Sequence, residues 1–146
     1  MEDSTTQVLF VRIRRINGSV SIKSKTKLEK YRRIQNVILD IRAEVDIAIV
    51  DGADDKKTLK HLGFDNPVFT RSEHSYLVLA NKIAKRYKIV AVLTDFDEEG
   101  KLANDRLTKL LLERNVQVCT SCRETLETVL KVANLTTVEG IYQLLI

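Results

Sequence analysis

Two short stretches of this chain concentrate acids where apolar runs end. "DIAIV" runs into Asp51-Gly52-Ala53-Asp54-Asp55, and "IVAVLT" runs into Asp95-Phe96-Asp97-Glu98-Glu99-Gly100. Carboxylates packed this closely repel one another, so either water or a positive charge sits among them. With no Cys or His in either stretch, oxygen-only ligands select a hard cation, Mg2+ or Mn2+. Such an ion neutralises the acids, binds phosphate oxygens and stabilises the charge that develops during phosphodiester cleavage. The plainer reading is that acids at strand ends cap the helices that follow, because negative charge is favoured there. That reading is strongest for Asp54 and Asp55.

Around these tips the sequence alternates between strand and helix patterns. "DIAIV", "NPVFT", "KIVAVLTD" and "VQVCT" read as strands. "DDKKTLKHLG", "SEHSYLVLANKIAKRY" and "EEGKLANDRLTKLLLERN" read as the helices between them. Gly63 ends the first helix, Ser72 is the expected cap of the second, and Leu102, Leu107, Leu110 and Leu111 form the apolar face of the third. "RETLETVLKVAN" and "TTVEGIYQLL" complete the pattern as two more helices, the last capped by Thr136 or Thr137. Strands alternating with helices imply an α/β fold with a four-stranded parallel sheet covered on both faces. Ligands of such sheets bind beyond the carboxyl ends of the strands. If the two acid-tipped strands are neighbours, Asp51, Asp95 and Asp97 converge, with Asp55 one turn behind and Gly52 and Gly100 allowing tight turns.

Residues 1–45 differ from the rest. They carry a net charge of +5, whereas residues 46–146 carry −1. Residues 8–24 read as a hairpin turning at Asn17-Gly18. Leu28, Tyr31, Ile34, Val37, Ile38, Ile41 and Val45 then line one face of a helix, with Lys27, Lys30, Arg32 and Arg33 facing outward. The expected organisation is an amino-terminal hairpin and basic helix (1–45) packed on an α/β domain (46–146). Arg12, Arg14, Arg15, Lys23, Lys25, Lys27, Arg32 and Arg33 are candidate phosphate contacts, and Lys56 and Lys57 lie close enough in sequence to the acids to join them. A basic lobe beside a carboxylate site suits a phosphate-rich polymer. No apolar run is long enough to span a bilayer, and the start is polar and acidic, unlike a signal peptide. A cytoplasmic protein is expected, with a homodimer or a larger complex as possible assemblies.

Cys119 and Cys122 form a C-x-x-C at a strand-to-helix junction. They read first as small buried cysteines, with a structural disulfide, a redox pair or a zinc site as alternatives. The two histidines, His61 and His74, match no zinc spacing.

In order and spacing, "IAIVDGADD" and "VAVLTDFDEEG" resemble the two motifs of a Toprim domain. That is the module of bacterial-type primases, topoisomerases, OLD-family nucleases and the small nucleases that mature ribosomal RNA. The family pattern is a strand followed by Glu-Gly with an Asp four positions after the Glu. A second strand then ends in Asp-x-Asp, with a Gly three positions on. Asp51 stands at the Glu position, followed by Gly52 and Asp55. Asp95, Asp97 and Gly100 supply the second motif. The resemblance implies a Mg2+-dependent active site at Asp51, Asp95 and Asp97, with Asp55 as a further ligand, acting on RNA or DNA. The chain has no room for the tyrosine domain of a topoisomerase or the extra modules of a primase, so it is most similar to the stand-alone nucleases, which suggests RNA. Aspartate at position 51 shortens the reach by about 1.5 Å, which leaves room for metal binding but weighs against strand rejoining or polymerisation.

Two other functions compete. One is a non-catalytic nucleic-acid-binding module or partner subunit with the same fold. The other is a phosphohydrolase of the haloacid-dehalogenase kind, which also places Asp-x-Asp after a strand but usually follows it with Thr or Val, where Glu98 stands here.

Overall fold

The computed structural model describes residues 26–145. The expected hairpin, and with it Arg12, Arg14, Arg15, Lys23 and Lys25, lies outside the described residues.

Helix α1 (Lys27–Glu44) begins at Thr26, whose hydroxyl accepts the Glu29 N–H, the first half of a capping box. Its apolar stripe buries Ile34, Val37, Ile38 and Ile41. The stripe differs from expectation at both margins. Leu28 is 51% exposed, whereas Arg33, expected to face outward, is 6% exposed. Arg33 lies four residues before Val37, so it shares that residue's side of the helix.

The elements that follow alternate as the sequence predicts. They are β1 (Ile47–Val50), α2 (Ala53–His61), β2 (Val68–Thr70), a 3-10 turn (Arg71–Glu73), α3 (Tyr76–Arg86), β3 (Ile89–Val92), α4 (Glu98–Glu113), β4 (Gln117–Val118), α5 (Thr120–Val132) and a 3-10 segment (Glu139–Leu145). The strands form one parallel sheet in the order β2-β1-β3-β4. All four residues of β1 are buried, as a central parallel strand covered on both faces requires. One face carries α1, α2, α5 and the carboxyl-terminal segment, with Phe64, Ala48, Val50 and Leu126 at its centre. The other carries α3 and α4 over Ile47, Ile49, Val90 and Val92. Truncating a central side chain such as Ile49 to Ala would cost about 2–5 kcal/mol.

Three local expectations are corrected. Helix α3 is capped by Ser75, whose Oγ accepts the Val78 N–H, and not by Ser72, because 71–73 first forms its own 3-10 turn. The carboxyl-terminal "TTVEGIYQLL" is a 3-10 segment rather than an α-helix. Its entry is fixed by long-range bonds, Phe96 N–H to the Thr136 carbonyl and Glu139 N–H to Asp55, which propensity does not encode. On α4, Leu102 is 60% exposed, and Ala103, Leu107 and Leu111 carry the buried face.

Candidate metal centre at the strand tips

The chain passes from β1 outward to β2 and then crosses back to β3 on the other side. The carboxyl ends of β1 and β3 therefore flank the point where strand order reverses, the usual ligand crevice of such a sheet. Strand pairing of Ile49 with Val92 brings the two acidic tips together. Asp51 Oδ2 accepts the Asp95 backbone N–H at 2.7 Å. Asp51 Oδ1 accepts Arg71 Nε–H at 2.5 Å, and its carbonyl accepts the Ser72 N–H. Arg71 follows directly on β2, so three adjacent strand ends meet at one carboxylate.

Asp55 is buried. Its Oδ1 accepts the Glu139 N–H at 3.0 Å, and it reaches back to the Gly52 N–H at the start of α2. Burial, with Asp51 and Asp54 nearby, raises its pKa above the usual carboxylate value against the pull of those two N–H donors. Asp97 is exposed and is the N-cap of α4, where its Oδ1 accepts the Gly100 N–H at 2.8 Å. The plainer reading of acids as caps thus holds for Asp97, which still has a second oxygen.

Asp95 differs from the other three. Its carboxyl pKa is pushed up to about 7, first by burial and then by the charges of Asp51, Asp55 and Asp97. The four acids therefore feel one another at Asp95, where the repulsion foreseen from the sequence is concentrated.

Gly100 is required by close approach: a Cβ there would lie 1.9 Å from the Asp95 carbonyl oxygen. Gly52 is different. Its backbone is extended and a Cβ would meet nothing within 4 Å, so the expected tight turn at Gly52 is corrected.

Two arginines that sequence reasoning passed over organise the site. Arg123, on α5, is buried and gives its guanidinium to the end of β3. It donates to the carbonyls of Val92 (3.2 Å), Thr94 (2.7 Å) and Asp95 (2.8 Å), and it stacks 4.3 Å from the centre of the Phe96 ring. Burial lowers its pKa, and the charges of Glu127, Asp51, Asp105 and Asp95 act in the opposite direction. Its position three residues before Leu126, on the apolar stripe of α5, was the available signal. Arg71 is the second. Burial disfavours its charge, but Asp51 and the Tyr76 hydroxyl outweigh this and raise its pKa.

Lys56 and Lys57 are exposed on α2; Lys27 and Arg32 are exposed on α1, in the layer on the opposite face of the sheet from α3 and α4. Cys119 and Cys122 are joined as a disulfide, which corrects the reading of two buried thiols. Three residues apart across the first turn of α5, their Cα atoms are 5.4 Å apart, within the range a disulfide spans.

The Toprim domain family matches residues 46–125, which takes in both acidic tips and all four strands of the sheet. The chain belongs to the Toprim family. Relatives of this Toprim protein include UPF0292 proteins of archaea. That of Thermococcus sibiricus is 28% identical over 103 residues, covering 70% of this chain and 81% of its own length. That of Pyrococcus horikoshii is 30% identical over 117 residues, covering 80% and 87%. A putative protein from Aquifex aeolicus shares the fold, with a TM-score of 0.58 and 21% identity over 80% of this chain and 99% of its own. Family membership ties the chain to nucleic-acid-related, metal-dependent function at a general level.

The donor chemistry at the tips fits a hard divalent ion. Asp95 is crowded by like charges, and Asp97 sits beside it. The four-carboxylate cage expected from the sequence is not formed: among the described residues no group of three or more His, Cys, Asp or Glu is arranged to hold a metal. Asp51 and Asp55 have turned to N–H donors of the protein instead. Two carboxylates are nevertheless a common protein contribution to Mg2+, which keeps several waters and binds substrate phosphate. No helix among the described residues is long and apolar enough to cross a membrane.

Proposed function

We propose that this Toprim protein is a Mg2+- or Mn2+-dependent nuclease that cleaves phosphodiester bonds in RNA or DNA. Asp95 and Asp97 would hold the ion. Once bound, it would supply charge neutralisation at the phosphate and a more acidic water. Asp51 orients Arg71 and fixes the Asp95 backbone. Asp55 ties the carboxyl-terminal segment to the start of α2. Arg123 locks the end of β3, so that the Asp95 side chain starts from a rigid backbone. The observation that supports this reading is the meeting of the β1 and β3 acid tips at the switch point of the sheet, where Ile49 pairs with Val92 and Asp51 accepts the Asp95 N–H.

The test is a panel of end-labelled RNA and DNA oligonucleotides incubated with Mg2+, Mn2+ or chelator. Cleavage that needs the metal and is lost in Asp95→Ala is expected. Intact substrates under every condition would refute it.

One observation favours a second reading. Asp51 is held by protein donors and stands where the family usually has glutamate, which suits a non-catalytic nucleic-acid-binding module. Salt-sensitive binding that survives both chelator and Asp95→Ala, without cleavage, would favour that module. The phosphohydrolase alternative would be revived by phosphate release from a generic monoester.

A further inference from the structure

Four carboxyl side chains, Asp51, Asp55, Asp95 and Asp97, cluster at the strand tips. A cation beside them would help a phosphate approach. Arg123 is poorly placed for this, since it is buried and its guanidinium is spent on three backbone carbonyls. Arg71 has the opposite character. Its side chain is 29% exposed, and its ion pair with Asp51 runs through Nε. A guanidinium has five N–H donors; Asp51 takes one and the Tyr76 hydroxyl is the other partner. That leaves terminal N–H groups able to meet a phosphate in the forked geometry arginine favours.

The contact continues outward. Tyr76 opens α3, and exposed Arg106, on α4, lies 5.8 Å from the centre of its ring. Arg71, Tyr76 and Arg106 thus form a strip of two cations around one aromatic, starting at Asp51 and running onto the α3/α4 layer. A basic patch with an interleaved ring suits a single strand of nucleic acid, whose phosphates meet arginine and whose bases have faces for stacking.

We propose that Arg71 and Arg106, with Tyr76 between them, hold the phosphates of a single nucleic-acid strand and lead it to the Asp95/Asp97 tip. The proposal rests on the nuclease reading for what happens at that tip, but the binding strip stands or falls separately. It places the strand on the α3/α4 layer, away from the exposed cations of α1.

The experiment uses the full chain and a fluorescein-labelled 20-nucleotide single strand, as RNA and as DNA of the same sequence. Binding is followed by anisotropy in chelator over a range of salt, with thermal melts as a control for folding. Arg71→Ala and Arg106→Ala should each weaken binding by about threefold to tenfold and reduce the slope of log K against log salt by about 0.7, the value for one phosphate contact on a single strand. Arg86→Ala, at the far end of α3, should change neither. Arg71→Lys keeps the charge and should recover part of the affinity; it also serves if the alanine variant folds poorly. Wild-type affinity and slope in Arg71→Ala and Arg106→Ala would overturn the strip, as would failure of the wild type to bind either strand. Cleavage is scored separately with Mg2+. Weakened binding in the variants without wild-type cleavage keeps the strip and sinks the nuclease. Cleavage with unchanged binding does the reverse.

Discussion

The tips of β1 and β3 look alike in sequence, each an apolar run ending in acid, yet they are neutralised differently. At the β1 tip both Asp51 oxygens are met by protein donors, Arg71 and the Asp95 N–H. At the β3 tip Asp95 faces burial and three like charges, and its pKa rises to about 7. One acid is built into the scaffold by N–H donors; the other has burial, three like charges and a side-chain hydrogen bond to Asp51 around it, all of which favour its protonated form. A carboxylate's role is thus decided by the donors that the rest of the chain brings to it.

The sharpest way to break this contrast is at the β3 tip. Asp95→Ala should lower Mg2+-dependent cleavage by roughly a hundredfold or more, the scale of losing an electrostatic group at the reacting centre. Asp97 allows a finer cut. Asp97→Asn keeps an acceptor for the Gly100 N–H and should hold stability while cleavage falls. Asp97→Ala should lose cleavage and also about 1 kcal/mol of stability with the cap. Denaturant melts beside a cleavage assay separate the two.

Next in size are changes to the frame. Gly100→Ala drives a Cβ into the Asp95 carbonyl and should cost about 3 kcal/mol or more, read by urea denaturation. Arg123→Leu leaves the buried Thr94 and Val92 carbonyls short of a donor and should cost about 2–3 kcal/mol. Arg71→Ala should cost less than about 1 kcal/mol, because that ion pair is partly open to solvent. If Arg71→Ala proved the more destabilising of the two arginine variants, the division of labour between them would be wrong.

The smallest effect is on pH. The folded-state pKa of Asp95 is raised from 3.8 to about 7, first through burial, so the folded chain holds this proton more tightly than the unfolded one. The stabilising contribution is complete below about pH 4 and is lost as pH climbs through 7. In chelator, wild type should lose more melting temperature between pH 5 and pH 8 than Asp95→Asn does. Mg2+ should restore part of that loss at pH 8 in wild type alone. Parallel melting curves for the two proteins would contradict the crowding at Asp95.

What was legible in the sequence was local. The buried run of β3, the acids that follow each central strand and Gly100 could be read directly, because period, chemistry and spacing all lie within a few residues. That the two acid-tipped strands are neighbours was only a condition in the sequence; the strand order β2-β1-β3-β4 supplies it. What escaped was set at long range. Arg71 and Arg123 reach Asp51 and the end of β3 from 20 and 28 or more residues away. Asp55 finds its donor at Glu139, 84 residues on. Ser72 lost the cap of α3 to Ser75 because a 3-10 turn intervened, and Arg33 was buried by sharing the side of Val37. For Arg71, Arg123 and Asp55 the missed partner lies in another element.

The claim beneath all of this is that the β3 tip takes up a divalent ion. Its most direct test is a Mn2+ titration of the purified chain followed by electron paramagnetic resonance, in wild type and Asp95→Asn. Wild type should remove Mn2+ from solution, and the variant should bind at least tenfold more weakly. No uptake by wild type at millimolar Mn2+, or equal uptake by both proteins, would contradict the account.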